Sequence, residues 1–188
     1  MSPPLILPFH GILPKIHPTA FIAPGAVIIG DVEIGEDSSI WFGCVIRGDV
    51  NKIRIGARTN IQDGTVIHVA GAEESTLAST PPAQGSAALI GDDVTVGHMA
   101  LLHACTVESH SFVGMKAVVM DGATIKSGGM LAAGALLTAG KTVASGEIWA
   151  GNPAKFWRKL TEADSAQFNA RAGQYAQLAR EYRKENKI

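Results

Sequence analysis

The sequence predicts an all-β solenoid closed by one C-terminal helix. Three observations carry that prediction: a six-residue aliphatic period, an unusual stock of glycine, and a terminal stretch whose period switches to that of a helix. The period is the strongest of them. Ile16, Ile22, Ile28, Ile34, Ile40 and Ile46 recur at a spacing of six, Lys52–Arg54 interrupts by three residues, and Ile55, Ile61 and Ile67 resume it. The series returns at Ile90, Val96 and Leu102, loses one residue, and continues through Val107, Val113, Val119, Ile125, Leu131, Leu137, Val143 and Trp149. Twenty positions hold this phase. Neither an amphipathic helix, with a period of about 3.6, nor a hairpin sheet turning every eight to twelve residues or so has such a spacing.

A chain that makes a short strand, turns a corner and repeats does have it. The aliphatic residue points to a shared axis. The residue four further on is usually small, as at Ala26, Ser38, Cys44, Thr59, Thr65, Ala100, Thr106, Ser111, Ala117, Ala123 and Ala135, where the coil is tight. Glycine occurs 21 times while aromatics are 6%; in helix interiors each glycine costs about 1 kcal/mol, whereas a bend welcomes it. Stacked coils then pair backbone to backbone at about 4.8 Å. This pattern resembles the hexapeptide repeat of left-handed parallel β-helices, in which three hexads complete one triangular coil. The handedness comes from that resemblance, since the crossover rule for parallel strands argues the opposite. Twenty hexads then make about seven coils, a prism about 33 Å tall.

One domain is expected over residues 1–188, with the β-helix at 12–153 and the helix at 160–186. Ala70–Ala88 breaks the phase with Gly71, Pro81, Pro82 and Gly85 and reads as an excursion loop from the prism. Gly151-Asn152-Pro153 stops the coils, and Thr161-Glu162-Ala163-Asp164 opens a helix with a capping-box pattern. Phe168, Ala172, Tyr175, Ala179 and Tyr182 form its apolar stripe, suited to covering one side of the prism. With 16 basic and 17 acidic residues the net charge is −1, which lacks the basic field of a nucleic-acid binder. Ser127 to Gly140 is too short and glycine-rich to span a bilayer, Met1–Pro8 does not read as a signal peptide, and two cysteines make no disulfide framework. A cytoplasmic protein is expected.

The register separates the six histidines. His68 follows the inward Ile67 and His103 follows Leu102, so both take the same slot. If the excursion stands in for about one coil, they lie one above the other, about 4.8 Å apart at the backbone, where two imidazoles can share one ion. His98 lies two after Val96, one side of the triangle earlier, and points away from that pair within its own chain. A three-histidine site therefore needs His98 from a neighbouring subunit, which predicts an oligomer with a closed three-fold ring. His10, His17 and His110 have no partner at a matching slot and read as surface residues. Three neutral imidazoles favour Zn²⁺ and leave a fourth position open, where water ionises near pH 7.

The runs Ile46-Arg47-Gly48-Asp49, Asn60-Ile61-Gln62-Asp63-Gly64, Ile67-His68-Val69 and Val96-Gly97-His98-Met99-Ala100-Leu101-Leu102-His103 resemble those of the gamma-class carbonic anhydrase family. That resemblance implies a homotrimer with zinc (Fe²⁺ or Co²⁺ in some members) at its subunit interfaces. His68, His98 and His103 are then the ligands. Gln62 and, less directly, Asn60 orient hydroxide or CO₂; Arg47 and Asp49 pair across the interface, with Asp63 supporting the arginine. Tyr175 matches a helix tyrosine that approaches the metal, and its stripe position suits packing equally. Some active members carry glutamate where Val50 stands, and a loop acid for which Glu73 or Glu74 are the candidates.

The activity implied is reversible hydration of CO₂ to bicarbonate, a lyase reaction. The alternatives are acyl transfer or thioester hydrolysis on coenzyme A substrates, as in other hexapeptide-repeat proteins, and a metal-stabilised subunit without catalysis.

Overall fold

The computed structural model describes residues 3–71 and 86–186. In it the period-six positions sort into three stacked columns, one per face of a prism. On the first face Ile16, Ile34, Ile55, Ile90, Val107, Ile125 and Val143 follow one another in register. The second face stacks Ile22, Ile40, Ile61, Val96, Val113, Leu131 and Trp149. The third stacks Ile28, Ile46, Ile67, Leu102, Val119 and Leu137. All these ladders are parallel, and the fold is a parallel β-solenoid of about seven turns, the architecture the period predicts. Its core is the axis itself: Ile28, Ile46, Ile61, Ile67 and Leu102 are wholly buried. Apolar burial along the axis, repeated coil after coil, is what stabilises so turn-rich a chain.

The corners explain the small residues. The residue three after an inward aliphatic takes positive φ, as at Asp37 (53°), Gly43 (67°), Gly64 (70°) and Met99 (60°). The next residue then tucks inward and is buried, as at Cys44, Thr65 and Ala100. Thr106 departs from the expectation. The hexad it closes is one residue short, so the corner falls at Ala104 (φ 47°), Cys105 is the buried small residue, and Thr106 opens the next strand. Gly30 marks a close approach between coils: a Cβ there would stand 2.3 Å from the carbonyl oxygen of Gly48.

β-structure begins ahead of residue 12, because Leu5–Leu7 pairs in parallel with Val27–Ile29 beneath the first complete coil. The three-residue interruption and the excursion share one corner, between the third and first faces. The strand Val45–Ile55 runs round that corner unbroken, and Asn51 Nδ2 donates to Ala70 O above it at 3.3 Å. An antiparallel bridge between Ala70 and Ser86 closes the neck of the excursion; Glu73, Glu74 and the rest of 72–85 lie outside the described residues.

Beyond the coils, Lys155–Lys159 turns back antiparallel on Glu147–Ala150, a strand with no period-six residue to announce it. The helix Glu162–Asn186 follows and lies on the second face. Ala172 and Ala179 of its stripe are buried, and Tyr175, Ala179 and Tyr182 pack with Phe21 and Trp41. Its start is the expected capping box, with Asp164 N donating to Thr161 Oγ1 at 3.1 Å and Thr161 N to Asp164 Oδ2 at 2.8 Å. The Arg158 guanidinium, 2.6 Å away, and then the Thr161 donors hold the Asp164 carboxyl far below the ordinary carboxylate range. A carboxyl that titrates lower folded than unfolded stabilises the fold above its unfolded pKa, about 3.9, and stops doing so as the pH falls. Acidification below about pH 4 is therefore expected to fray the helix start, and Asp164→Asn to weaken it already at neutral pH and flatten that acid response, both read by helical ellipticity.

Candidate metal centre

The third face carries the first half of the site. Arg47, His68 and His103 occupy the slot after Ile46, Ile67 and Leu102, so they form an outward row. Register places His68 directly opposite His103, 35 positions further along the chain. His68 Nδ1 and His103 Nε2 face each other at 3.2 Å. Each ring holds a carboxylate at its far nitrogen: His68 Nε2 lies 2.9 Å from Asp49 Oδ1, and His103 Nδ1 lies 3.0 Å from Asp121 Oδ1. Asp49 reaches His68 from the bulged corner just before Lys52 and also accepts from Arg47 of its own chain. Burial works to raise the Asp49 carboxyl, but the bonds from Arg47 and His68 outweigh it and hold the group below its usual range.

Sequence reasoning missed Asp121. Asp121 lies two after Val119, the slot that His98 takes after Val96 and Asp63 after Ile61. The signal available was the short hexad, which puts His103 against a corner one residue early.

The second half lies on the second face and the corner that follows it. Gln62 Nε2 donates to Asn60 Oδ1 at 3.1 Å, and Asn60 Nδ2 donates to Thr95 Oγ1 at 2.9 Å; all three side chains are buried. At the corner, Asp63 Oδ2 stands 2.7 Å from His98 Nδ1. Tyr175, on the helix, packs edge-on against Trp41 at 5.4 Å. Burial raises its phenol pKa; Arg171 opposes this and the charge of Asp63 adds to it. So Asn60, Gln62, Asp63, His98 and Tyr175 gather on one side of the prism, and Arg47, Asp49, His68, His103 and Asp121 on another. Among the described residues, no three His, Cys, Asp or Glu side chains of one chain gather to hold a metal.

The donor set fits a metal nonetheless. Two nitrogens on one tetrahedral zinc, each at about 2.0–2.1 Å, stand about 3.4 Å apart, close to the 3.2 Å seen. With Asp49 and Asp121 each taking a ring N–H, both facing nitrogens present lone pairs, and a cation between them removes the repulsion.

The slot before each inward residue distinguishes the faces. On the first face it holds Lys15, Glu33, Arg54, Thr106, Thr124 and Thr142, with one apolar exception, Leu89. On the second the helix covers several of them. On the third it holds Val27, Val45, Val66, Leu101, Val118 and Leu136, a half-exposed apolar column beside the histidine pair. Across the corner, Met99 and Met115 flank His98 and are 60% and 54% exposed.

The fold is a hexapeptide-repeat solenoid that carries a registered histidine pair, and comparison with known proteins narrows its class. Residues 13–48 match the family described as "Bacterial transferase hexapeptide (six repeats)". Gamma carbonic anhydrase 2, mitochondrial, of Arabidopsis thaliana is 47% identical over 173 residues, which are 92% of this chain and 60% of that protein; the chain thus spans about three fifths of that relative's length. A carbonic anhydrase of Geobacillus kaustophilus is 42% identical over 179 residues, covering 95% of this chain and 91% of its own. The crystal structure of a hexapeptide transferase family protein from Anaplasma phagocytophilum superposes with a TM-score of 0.85 at 47% identity, covering 95% and 98% of the two chains. The chain belongs to the gamma-class carbonic anhydrase family. Membership implies a metal cofactor. Among the described residues no helix is long and apolar enough to cross a membrane.

Proposed function

We propose that this protein interconverts CO₂ and bicarbonate at zinc sites shared between the chains of a homotrimer. The observation that carries the reading is the registered His68–His103 pair, its facing nitrogens 3.2 Å apart and its far nitrogens on carboxylates. His98, at the corner flanked by Met99 and Met115, is the third ligand, contributed by the neighbouring chain whose apolar corner packs on the third face. Iron or cobalt suits the same donors. The bound ion supplies hydroxide at neutral pH by lowering the pKa of water. The chain's own residues do the rest. Asp49, Asp63 and Asp121 fix the rings. Gln62, its amide nitrogen engaged by Asn60, keeps its carbonyl oxygen to orient the reactants. Arg47 and Asp49 secure the interface, and Tyr175 borders the site beside Asp63. Unpaired, buried thiols at Cys44 and Cys105 suit a reducing compartment such as the cytoplasm.

A groove favours a second reading, acyl chemistry on coenzyme A thioesters. It holds about 790 Å³ along the first face and is lined by Lys15, His17, Arg54 and the backbone of Gly35, Gly56 and Gly91. Its cations are already engaged, Lys15 by Glu33 and Arg54 by Asp31 and Glu33, which leaves little charge for phosphates. Purified protein is expected to hold about one zinc per chain, as a three-site ring requires, and to hydrate CO₂; His98→Ala is expected to lose both. Zinc-loaded protein active only on acyl-CoA would make the second reading correct, and tight zinc without turnover would leave a metal-stabilised subunit.

A further inference from the structure

We infer that Asp121 is the positioning residue of His103: its carboxylate takes the Nδ1 proton and thereby aims the Nε2 lone pair at the ion. The inference rests on the metal reading above and adds a residue to it. An imidazole presents a lone pair from one nitrogen only, so the hydrogen bond at the far nitrogen decides which one faces the ligand site. His103 Nδ1 lies 3.0 Å from Asp121 Oδ1 while its Nε2 faces His68.

The three histidines are not held alike. The carboxylate on His68, Asp49, is shared with Arg47, whereas Asp63 on His98 and Asp121 on His103 are exposed alike, 41% and 39%. Among the described residues, Asp121 has no cation among its side-chain partners. It therefore gives His103 an undivided negative charge, which raises the donor strength of that ring as well as fixing it. The backbone supports the placement: Gly122 N donates to Ala104 O at 2.8 Å, so the corner that bears Asp121 is tied to the corner that follows His103. The one-residue contraction of the hexad between Leu102 and Val107 brings these corners together.

The test is chelator-competition titration of metal-free protein with Zn²⁺ and Co²⁺, comparing wild type, Asp121→Asn, Asp121→Ala and His103→Ala. Loss of a carboxylate behind a metal-bound histidine typically weakens affinity about 10–100-fold. Asp121→Ala is expected to show that loss. Asp121→Asn, whose amide oxygen still accepts from Nδ1, is expected to lie between it and wild type. Nitrogen-15 spectra of the metal-free protein are expected to show His103 protonated at Nδ1 in wild type and Asp121→Asn, and mixed tautomers in Asp121→Ala.

Wild-type affinity retained in both Asp121 variants, with His103→Ala devoid of metal, overturns the role of Asp121 and spares the metal site. Wild type that takes up no metal, or His103→Ala that binds as wild type does, overturns the metal reading itself. Equal losses in Asp121→Asn and Asp121→Ala with unchanged tautomers would mark a merely structural role and would also overturn the inference. Should Asp121→Ala not fold, the Asp121→Asn affinity and the ring spectra decide the matter.

Discussion

Two inactive variants are expected to restore each other when assembled together. His98→Ala keeps the His68–His103 pair but lacks the third ligand, and His103→Ala keeps His98 but breaks the pair. Each alone should form trimers with almost no zinc and no CO₂ hydration. In the proposed ring each site would take its pair from one chain and His98 from the next. A site works where the pair comes from a His98→Ala chain and the third ligand from a His103→Ala chain. Any ring containing both variants holds one such site, whichever variant is in the majority. Equal amounts assembling at random leave about three rings in four mixed, so about a quarter of wild-type zinc content and activity should return. A site built within one chain predicts no recovery at all, since neither variant has all three histidines. Coexpression with two affinity tags, followed by metal analysis of the doubly tagged rings, separates these outcomes.

That recovery depends on a register that was legible in the sequence. Ile16 to Trp149 sort by their spacing alone into three columns, because one aliphatic residue per side must reach the axis for each coil to bury its neighbour. The stacking of His68 on His103 and the isolation of His98 follow from the same count. What the spacing does not carry is the content of the corners. Thr106 looked like a corner residue because it stands four after Leu102, yet the contracted hexad gives that place to Cys105 and moves Asp121 onto His103. Leu5–Leu7 escaped notice because it precedes the periodic run, and Lys155–Lys159 because an antiparallel return strand needs no inward residue at a spacing of six. The valines and leucines one before each inward residue of the third face were visible throughout. Their meaning emerged only when the helix proved to lie on the second face, leaving the third as an apolar surface on which, among the described residues, no helix packs.

A single charge on that surface is expected to take the ring apart. Leu101 sits in the middle of the apolar column, 37% exposed in the isolated chain, one residue before the inward Leu102. Leu101→Asp would bury an unpaired carboxylate at every interface, at several kcal/mol per ion, and about 1.4 kcal/mol is tenfold in a dissociation constant. A ring repeats the penalty at each of its contacts, so micromolar protein should elute as single chains. Those chains should hold no zinc, although His68, His98 and His103 are all intact, because two ligands alone remain together. Helical ellipticity and the core columns should be untouched, since the side chain points away from the axis. Thr106→Asp is the control. It occupies the same slot, before the inward Val107, on the polar first face, and there the charge meets water. That variant should remain a zinc-loaded trimer. If Leu101→Asp also stays trimeric with full zinc, the third face is not where the chains meet, and His98 must approach the pair from some other side.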